Sequence, residues 1–291
     1  MKPQFHERSL IAARQTVDGM SSPPGDERPY DRTPNGDEWE KVPHLFRTAD
    51  APLPSPWEER FGPLRCGKVD DLMVVGQIGQ SIDGRIATVT GHSKYINGPA
   101  GLDHLHRLRA LVDAVLVGVR TAIADDPQLT VRRVAGPSPA RIVLDPKGRL
   151  SPAPRVLADD GVPCLVIRAE GAEAPKHPGV EMLSLPAPAG EIAPASILRA
   201  LAARGFRRIL IEGGAHTVSR FIAAGCLDRL HVVVAPIIIG AGPSGVTLAP
   251  IARADEALRS PMRAHLLGEE VLFDCDLSAQ RVPVGCAKKS T

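Results

Sequence analysis

At 291 residues the chain is long enough for one large domain or two small ones. Its 35 basic and 33 acidic side chains leave a formal charge of +2, too balanced for binding a phosphate backbone through net charge. No apolar stretch reaches the roughly 18 residues of a membrane helix or forms the core of a secretion signal, so the expected location is the cytoplasm. Five cysteines, Cys66, Cys164, Cys226, Cys275 and Cys286, are odd in number, far apart and free of any C-x-x-C pair. They argue against a disulfide framework and against a metal site, and read as small buried hydrophobes or free thiols.

Aromatic residues divide the chain. Phe5, Tyr30, Trp39, Phe46, Trp57 and Phe61 precede Lys68, and only Tyr95, Phe206, Phe221 and Phe273 follow it. Proline and glycine clusters such as SSPPGDERPYDRTPNGDEWE (21–40) break every helical or alternating run in the first part. Residues 1–68 are therefore read as an extension without its own core, whose aromatics can dock on a main domain at 69–280, with a tail at 281–291. In the main domain MVVGQIGQ (73–80) predicts a buried strand, and RIAT (85–88) a short second one after the turn Asp83-Gly84. Pro99 suits the first turn of a helix capped by Asn97 or Gly98, along which Leu102, Leu105, Leu108 and Val112 recur at helical spacing. AVLVGV (114–119), ARIVLD (140–145), CLVIR (164–168), RILIE (208–212) and HVVVAPIIIG (231–240) read as strands of a sheet covered on both faces. Helices are expected over 194–204 and 216–224, and VLFDCDL (271–277) alternates like a closing strand. The fold class is α/β, with a largely parallel central sheet flanked by helices.

Ligands of such sheets bind beyond the carboxyl ends of the strands. After AVLVGV come Arg120 and Thr121, then DDPQLTVR (125–132). A threonine at a helix start suits an anionic ligand or serves as an ordinary cap, with Asp125 and Asp126 as helix-ending turn residues. After RILIE come Gly213, Gly214, Ala215, His216 and Thr217, where two glycines and a helix N-terminus can receive a pyrophosphate; a tight turn needs the same glycines. Glu212 can accept hydrogen bonds from a substrate or pair with an arginine. GAGPSG (240–245) satisfies G-x-G-x-x-G, but Pro250 interrupts the helix that should follow, and the segment reads as a loop. His104 and His106 lie two apart on a helix and cannot clamp one metal. His216 is either a ligand contact or a solvent-facing helical residue.

These blocks resemble the reductase domain of riboflavin biosynthesis, the C-terminal half of a bifunctional deaminase-reductase with a dihydrofolate-reductase-like fold. The resemblance spans about 73–277 and is carried by SIDGRIAT with GHSKYING (81–98), HRLRALVDAVLVGVRTAIADDPQLTVR (106–132), and ILIEGGA followed by CLDRLHVVVAPIIIG. It implies an NADPH-dependent reduction at C1 of the ribosyl group of 5-amino-6-(5-phosphoribosylamino)uracil, or of another pyrimidine or pterin-like substrate. A non-catalytic nucleotide-binding protein is the remaining alternative. Cofactor contacts are implied at Gly79, Tyr95, Thr121, Asp125, Gly213, Gly214, Ala215, His216, Thr217, Val218, Ser219 and Arg220. Substrate contacts are implied at Ser93, Arg109, Leu129, Arg132 and Glu212, with Asp125 and Glu212 as the catalytic candidates and no evident proton donor. Lys147, Arg149 and Arg168 are candidates for the cofactor's 2′-phosphate. Arg109, Arg132 and Ser93 are expected to converge on the substrate phosphate. Tyr95 stands where the family usually has tryptophan and Gly101-Leu102 where it has Ala-Arg, and the H-x-E…P-C-x-x-C signature of the deaminase is absent. A homodimer is also expected, with HVVVAPIIIG continuing the sheet towards a partner.

Overall fold

The computed structural model of the chain describes residues 36–94, 96–150, 153–173 and 178–284. Phe5, Tyr30, Tyr95 and Cys286 lie outside the described residues, and with them the expected cofactor contact of Tyr95. Among the described residues nine strands form one sheet, in the order β5-β4-β3-β2-β6-β1-β7-β9-β8. They are β1 (Met73–Ser81), β2 (Ala114–Gly118), β3 (Ala140–Leu144), β4 (Cys164–Ala169), β5 (Glu181–Leu185), β6 (Arg208–Glu212), β7 (Arg229–Ala235), β8 (Met262–Leu267) and β9 (Glu270–Asp276). Every pairing from β5 to β7 is parallel, and only β7–β9 and β8–β9 are antiparallel.

The sheet is covered on both faces, which is why its central strands can be apolar at nearly every position. Val74, Leu116, Ile142 and Ile209 pack under α6 (Pro194–Ala203) and α7 (Ala215–Ala223). Their neighbours in sequence, Val75, Val115, Val143 and Leu210, face the other way, against α4 (Pro99–Leu111) and α5 (Val119–Asp125). This second layer also takes in the short helices α1 (Gly36–Trp39), α2 (Val42–Thr48) and α3 (Trp57–Phe61). Trp39, Phe46, Trp57 and Phe61 are all buried there. Trp57 meets Trp39 edge-on at 5.1 Å and stacks on Phe61, and the Arg107 guanidinium lies 4.7 Å from the Trp57 ring. Phe61 in turn stacks on His104, which is hydrogen-bonded at 3.1 Å to His231 of β7.

Three expectations need correction. RIAT is not a strand: Ser81–Gly84 is a turn, with Gly84 at φ 76°, and only Arg85 forms a bridge, to Ser244. The HVVVAPIIIG run is strand only to Ala235, because Pro236 has no N–H for the ladder and Ile238 beyond it is 78% exposed. β7 also sits between β1 and β9, so it cannot continue the sheet towards a partner. Among the described strands the edges of the sheet are β5 and β8. Neither has a readable pattern, because an edge strand is half in water and its apolar residues are not confined to one face. Among the described residues no helix is long and apolar enough to cross a membrane.

Candidate active site

The C-terminal ends of β1, β2, β3 and β6 open on one cleft of about 1040 Å³, large for a small-molecule site. Two strand-to-helix turns form its centre, and their hydroxyls interlock. Gly213 has φ 85°, and a Cβ on it would stand 2.8 Å from Thr121 Cγ2. The Gly214 N–H donates to Thr121 Oγ1 at 2.8 Å. On the other turn a Cβ at Gly118 would overlap the Thr217 hydroxyl. The glycines thus bring β2–α5 and β6–α7 into contact, and α7 then starts at the cleft with Ala215 and His216, while the Thr217 N–H already donates to the Gly214 carbonyl at 3.0 Å. The cradle suits a pyrophosphate: it offers backbone N–H groups at a helix start, and Thr121 supplies a hydroxyl beside them. The lining carries Arg120, Lys147, Arg149 and Arg220 against Asp125 and Glu191, an excess of positive charge for an anionic ligand.

At the floor, a Cβ on Gly79 would overlap Asn97 Oδ1, so the Asn97 amide crosses β1 there. Asn97 Nδ2 donates to Glu270 Oε1 at 2.8 Å, and the same buried carboxylate accepts the N–H groups of Gly98 and Gly101 at the start of α4. A Cβ on Gly101 would come within 2.7 Å of Glu270 Oε2, which explains glycine at that place. Asp125, the last residue of α5, lines the cleft, and burial pushes its carboxyl up from the usual range. Asp126 ends the helix at φ 38° and accepts the Arg155 N–H. His216 is exposed on the cleft, its pKa lowered by burial and by Arg120 and Arg220.

The cleft brings together Gly79, Ser93, Thr121, Asp125, Gly213, Gly214, Ala215, His216, Thr217, Ser219 and Arg220. It does not take in Val218, which is buried in the core, or Leu129, which is 2% exposed with φ 55°. Glu212 is buried beneath the Gly213 turn, where it forms a two-pronged ion pair with Arg109, at 2.8 Å from Nε and 2.7 Å from Nη2. The third Arg109 nitrogen donates to the Thr130 carbonyl. Arg109 is therefore spent inside the protein and does not converge with Ser93 on a phosphate. Arg132 is exposed, with one long contact from Nη1 to Thr130 Oγ1 at 3.5 Å, and its backbone N–H donates to His106 Nδ1. Of the 2′-phosphate candidates, Lys147 and Arg149 line the cleft, whereas Arg168 bonds Ser184 on β5. Sequence reasoning missed Glu191 and the wall formed by Pro243, Ser244 and 247–249. The glycines of GAGPSG were the available signal for that wall.

The model of the RibD C-terminal domain matches residues 73–264. The chain belongs to that family. Among RibD C-terminal domain relatives, the riboflavin biosynthesis protein RibD of Aquifex aeolicus is 37% identical over 199 residues, 67% of this chain and 54% of the relative. A 2,5-diamino-6-ribosylamino-4(3H)-pyrimidinone 5′-phosphate reductase of Methanothermobacter thermautotrophicus is 33% identical over 210 residues, 69% of this chain and 96% of that protein. The chain thus spans about half the length of the RibD protein and nearly all of the Methanothermobacter reductase. A deaminase/5-amino-6-(5-phosphoribosylamino)uracil reductase of Thermotoga maritima, solved as a crystal structure, superposes with a TM-score of 0.61 at 27% identity, covering 76% of this chain and 59% of that one.

Proposed function

We propose that the chain is an NADPH-dependent reductase that converts the ribosyl group of a ribosylaminopyrimidine 5′-phosphate to ribityl. The observation that carries this is the paired glycine turn at Gly213-Gly214, interlocked with Thr121 at the N-terminus of α7, in a family whose relatives bear reductase names. The α7 amides and the Thr121 hydroxyl hold the pyrophosphate. Lys147 and Arg149 read the 2′-phosphate, which selects NADPH over NADH. Asp125 accepts a hydroxyl hydrogen bond within the cleft, and Glu212 acts from below by fixing Arg109 under the turn. Ser93 faces the substrate, and Arg132, exposed near Glu212, reaches its phosphate. NADPH, when bound, supplies the hydride for C1 of the opened ribosyl group, and a solvent proton goes to the attached nitrogen.

The proposed substrate is 5-amino-6-(5-phosphoribosylamino)uracil. A second reading, the 2-amino pyrimidinone counterpart, is favoured by the Methanothermobacter relative of which the chain covers 96%. NADPH oxidation followed with each purified pyrimidine separates the two, and no oxidation with either overturns the reading. Gly214→Val pushes a branched side chain against Thr121 Oγ1, which a Cβ alone would approach to 3.1 Å, and should abolish NADPH binding while the fold persists. Unchanged affinity by fluorescence titration would refute the cofactor site. We further propose a cytoplasmic homodimer, a role for which the exposed edge strand β8 is available. A monomeric mass at micromolar concentration in sedimentation overturns the dimer.

A further inference from the structure

β1 and β7 are parallel neighbours paired to their last residues, Ser81 and Ala235, so the segments that follow them leave the sheet side by side at its carboxyl end. They are laced together along the backbone: the Ile82 N–H donates to the Ile237 carbonyl, Ile86 to Pro243 and Gly245 to Gly84, at 2.9, 3.0 and 3.0 Å. Two charged side chains extend the lacing. Asp83 Oδ1 accepts the Ser81 hydroxyl at 2.6 Å and the Ile239 N–H at 3.0 Å, and Oδ2 accepts the Gly240 N–H at 2.7 Å. Arg85 donates from Nε to the Gly240 carbonyl and from Nη1 to the Gly242 carbonyl and Ser244 Oγ, at 3.0, 3.2 and 2.9 Å. The Ser81 hydroxyl, then the Ile239 N–H, draw the Asp83 carboxyl down to about 2, so the carboxylate is charged throughout the neutral range.

The glycines of GAGPSG belong to the same contact. Gly240 has φ 84°, a Cβ on Gly242 would overlap the Ala87 carbonyl oxygen, and one on Gly245 would overlap Gln80 Oε1. The motif that mimics a dinucleotide fingerprint is a loop pressed against its neighbour. Neither Asp83 nor Arg85 lines the cleft, whereas Ile86, Ala87, Ser93, Pro243 and Ser244, carried by the two joined loops, do.

We propose that Asp83 and Arg85 are positioning residues that weld the loops after β1 and β7 into one wall, and so set the pyrimidine end of the cleft. The inference rests on the reductase reading above. Their bonds reach only Ser81, at the end of β1, and 239–244 of the loop after β7, and none touches the 213–217 turn where the pyrophosphate is proposed to sit. Loosening the wall should therefore weaken substrate binding and spare the cofactor.

Arg85→Ala is expected to raise the KM for the pyrimidine phosphate by about 10-fold, with kcat and the NADPH Kd changed by less than about threefold. Arg85 and Ser244 face each other across an antiparallel bridge, a pairing that suits a disulfide. Arg85→Cys/Ser244→Cys, with Cys66 and Cys286 replaced by serine, tests the weld directly. Its oxidised form should show a KM at least about fivefold below that of its own reduced form, because the bond restores the weld without the guanidinium. Equal KM values for the two forms, or an unaltered KM in Arg85→Ala, overturn the proposal. If the unmodified protein binds NADPH and reduces neither pyrimidine, the reductase reading fails, and the weld is read from amide exchange at Ile239 and Gly240. Exchange should quicken in Arg85→Ala and slow on oxidation of the double variant; exchange unchanged in both overturns the weld.

Discussion

Replacing Glu212 with glutamine tests the reading of the Arg109–Glu212 pair as an internal strut. The two side chains are 5% and 7% exposed, and the carboxylate receives two charge-assisted hydrogen bonds of 2.8 and 2.7 Å. Glutamine keeps one acceptor, but its amide NH₂ must face the other guanidinium N–H, and the Arg109 charge is left buried without its carboxylate, with only that amide oxygen and the Thr130 carbonyl as acceptors. Breaking a buried pair in this way costs about 3 to 5 kcal/mol, a large part of a domain's ~5 to 15 kcal/mol. With a urea m-value of about 3 kcal/mol/M, the midpoint should fall by roughly 1 to 1.7 M at pH 7 without NADPH. Arg109→Met/Glu212→Leu removes both charges together and should lie within about 2 kcal/mol of the wild type, so the effects of the single changes should be strongly non-additive. A loss below about 1 kcal/mol in Glu212→Gln, or a double variant that loses the sum of its singles, refutes the strut. NADPH titration of the double variant then shows how far the Gly213 turn depends on what lies beneath it.

Trp57→Ala empties a fully buried site bounded by Trp39, Phe61 and Arg107 and should cost about 3 to 5 kcal/mol in chemical denaturation; a loss under 1 kcal/mol would mean that α3 does not belong to the core. Stability should also fall with acid. Burial, aided by Arg109, Arg132 and Arg133, lowers His106 to about 3, and burial beside His231 holds His104 well below its ordinary range. Protons then bind the unfolded chain and not the native one, so the stability linked to these histidines is complete above about pH 6.5 and is lost as the pH drops towards the folded values. Each histidine contributes a slope of about 1.4 kcal/mol per pH unit below about pH 6. Urea titrations at pH 7, 6 and 5 should show this decline and a shallower one in His106→Asn, and a flat profile between pH 7 and 5 would contradict the buried neutral histidines.

The parts of the fold legible in the sequence were those whose signal is local. β1, β2, β3 and β6 are buried on both faces and so read as mostly apolar runs with few polar interruptions. α4 and α6 announce themselves by proline in the first turn and apolar residues at helical spacing. The Gly213-Gly214 turn was legible for the same reason, since strand, glycines and helix follow one another directly. β5 and β8 were not, because an edge strand half in water carries no strict alternation, and the RIAT segment has strand-forming residues whose backbone is taken up by a turn and a neighbouring loop.

What the amino-acid order determined by itself was the layered α/β class and the strand-to-helix glycine turns, because periodicity, glycine and proline act over a few residues, and the resemblance to a reductase family, which rests on several ordered blocks. Which charged residues face the cleft was decided only by tertiary structure. Arg109 and Glu212 are 103 positions apart, Glu270 caps a helix 169 positions earlier, and Arg85 meets Ser244 across 159. A guanidinium looks the same in sequence whether it faces a ligand or a buried carboxylate. Only the packing of distant strands buried Arg109 against Glu212, kept Lys147 and Arg149 at the cleft, and decided that the GAGPSG loop is held by Asp83 and Arg85.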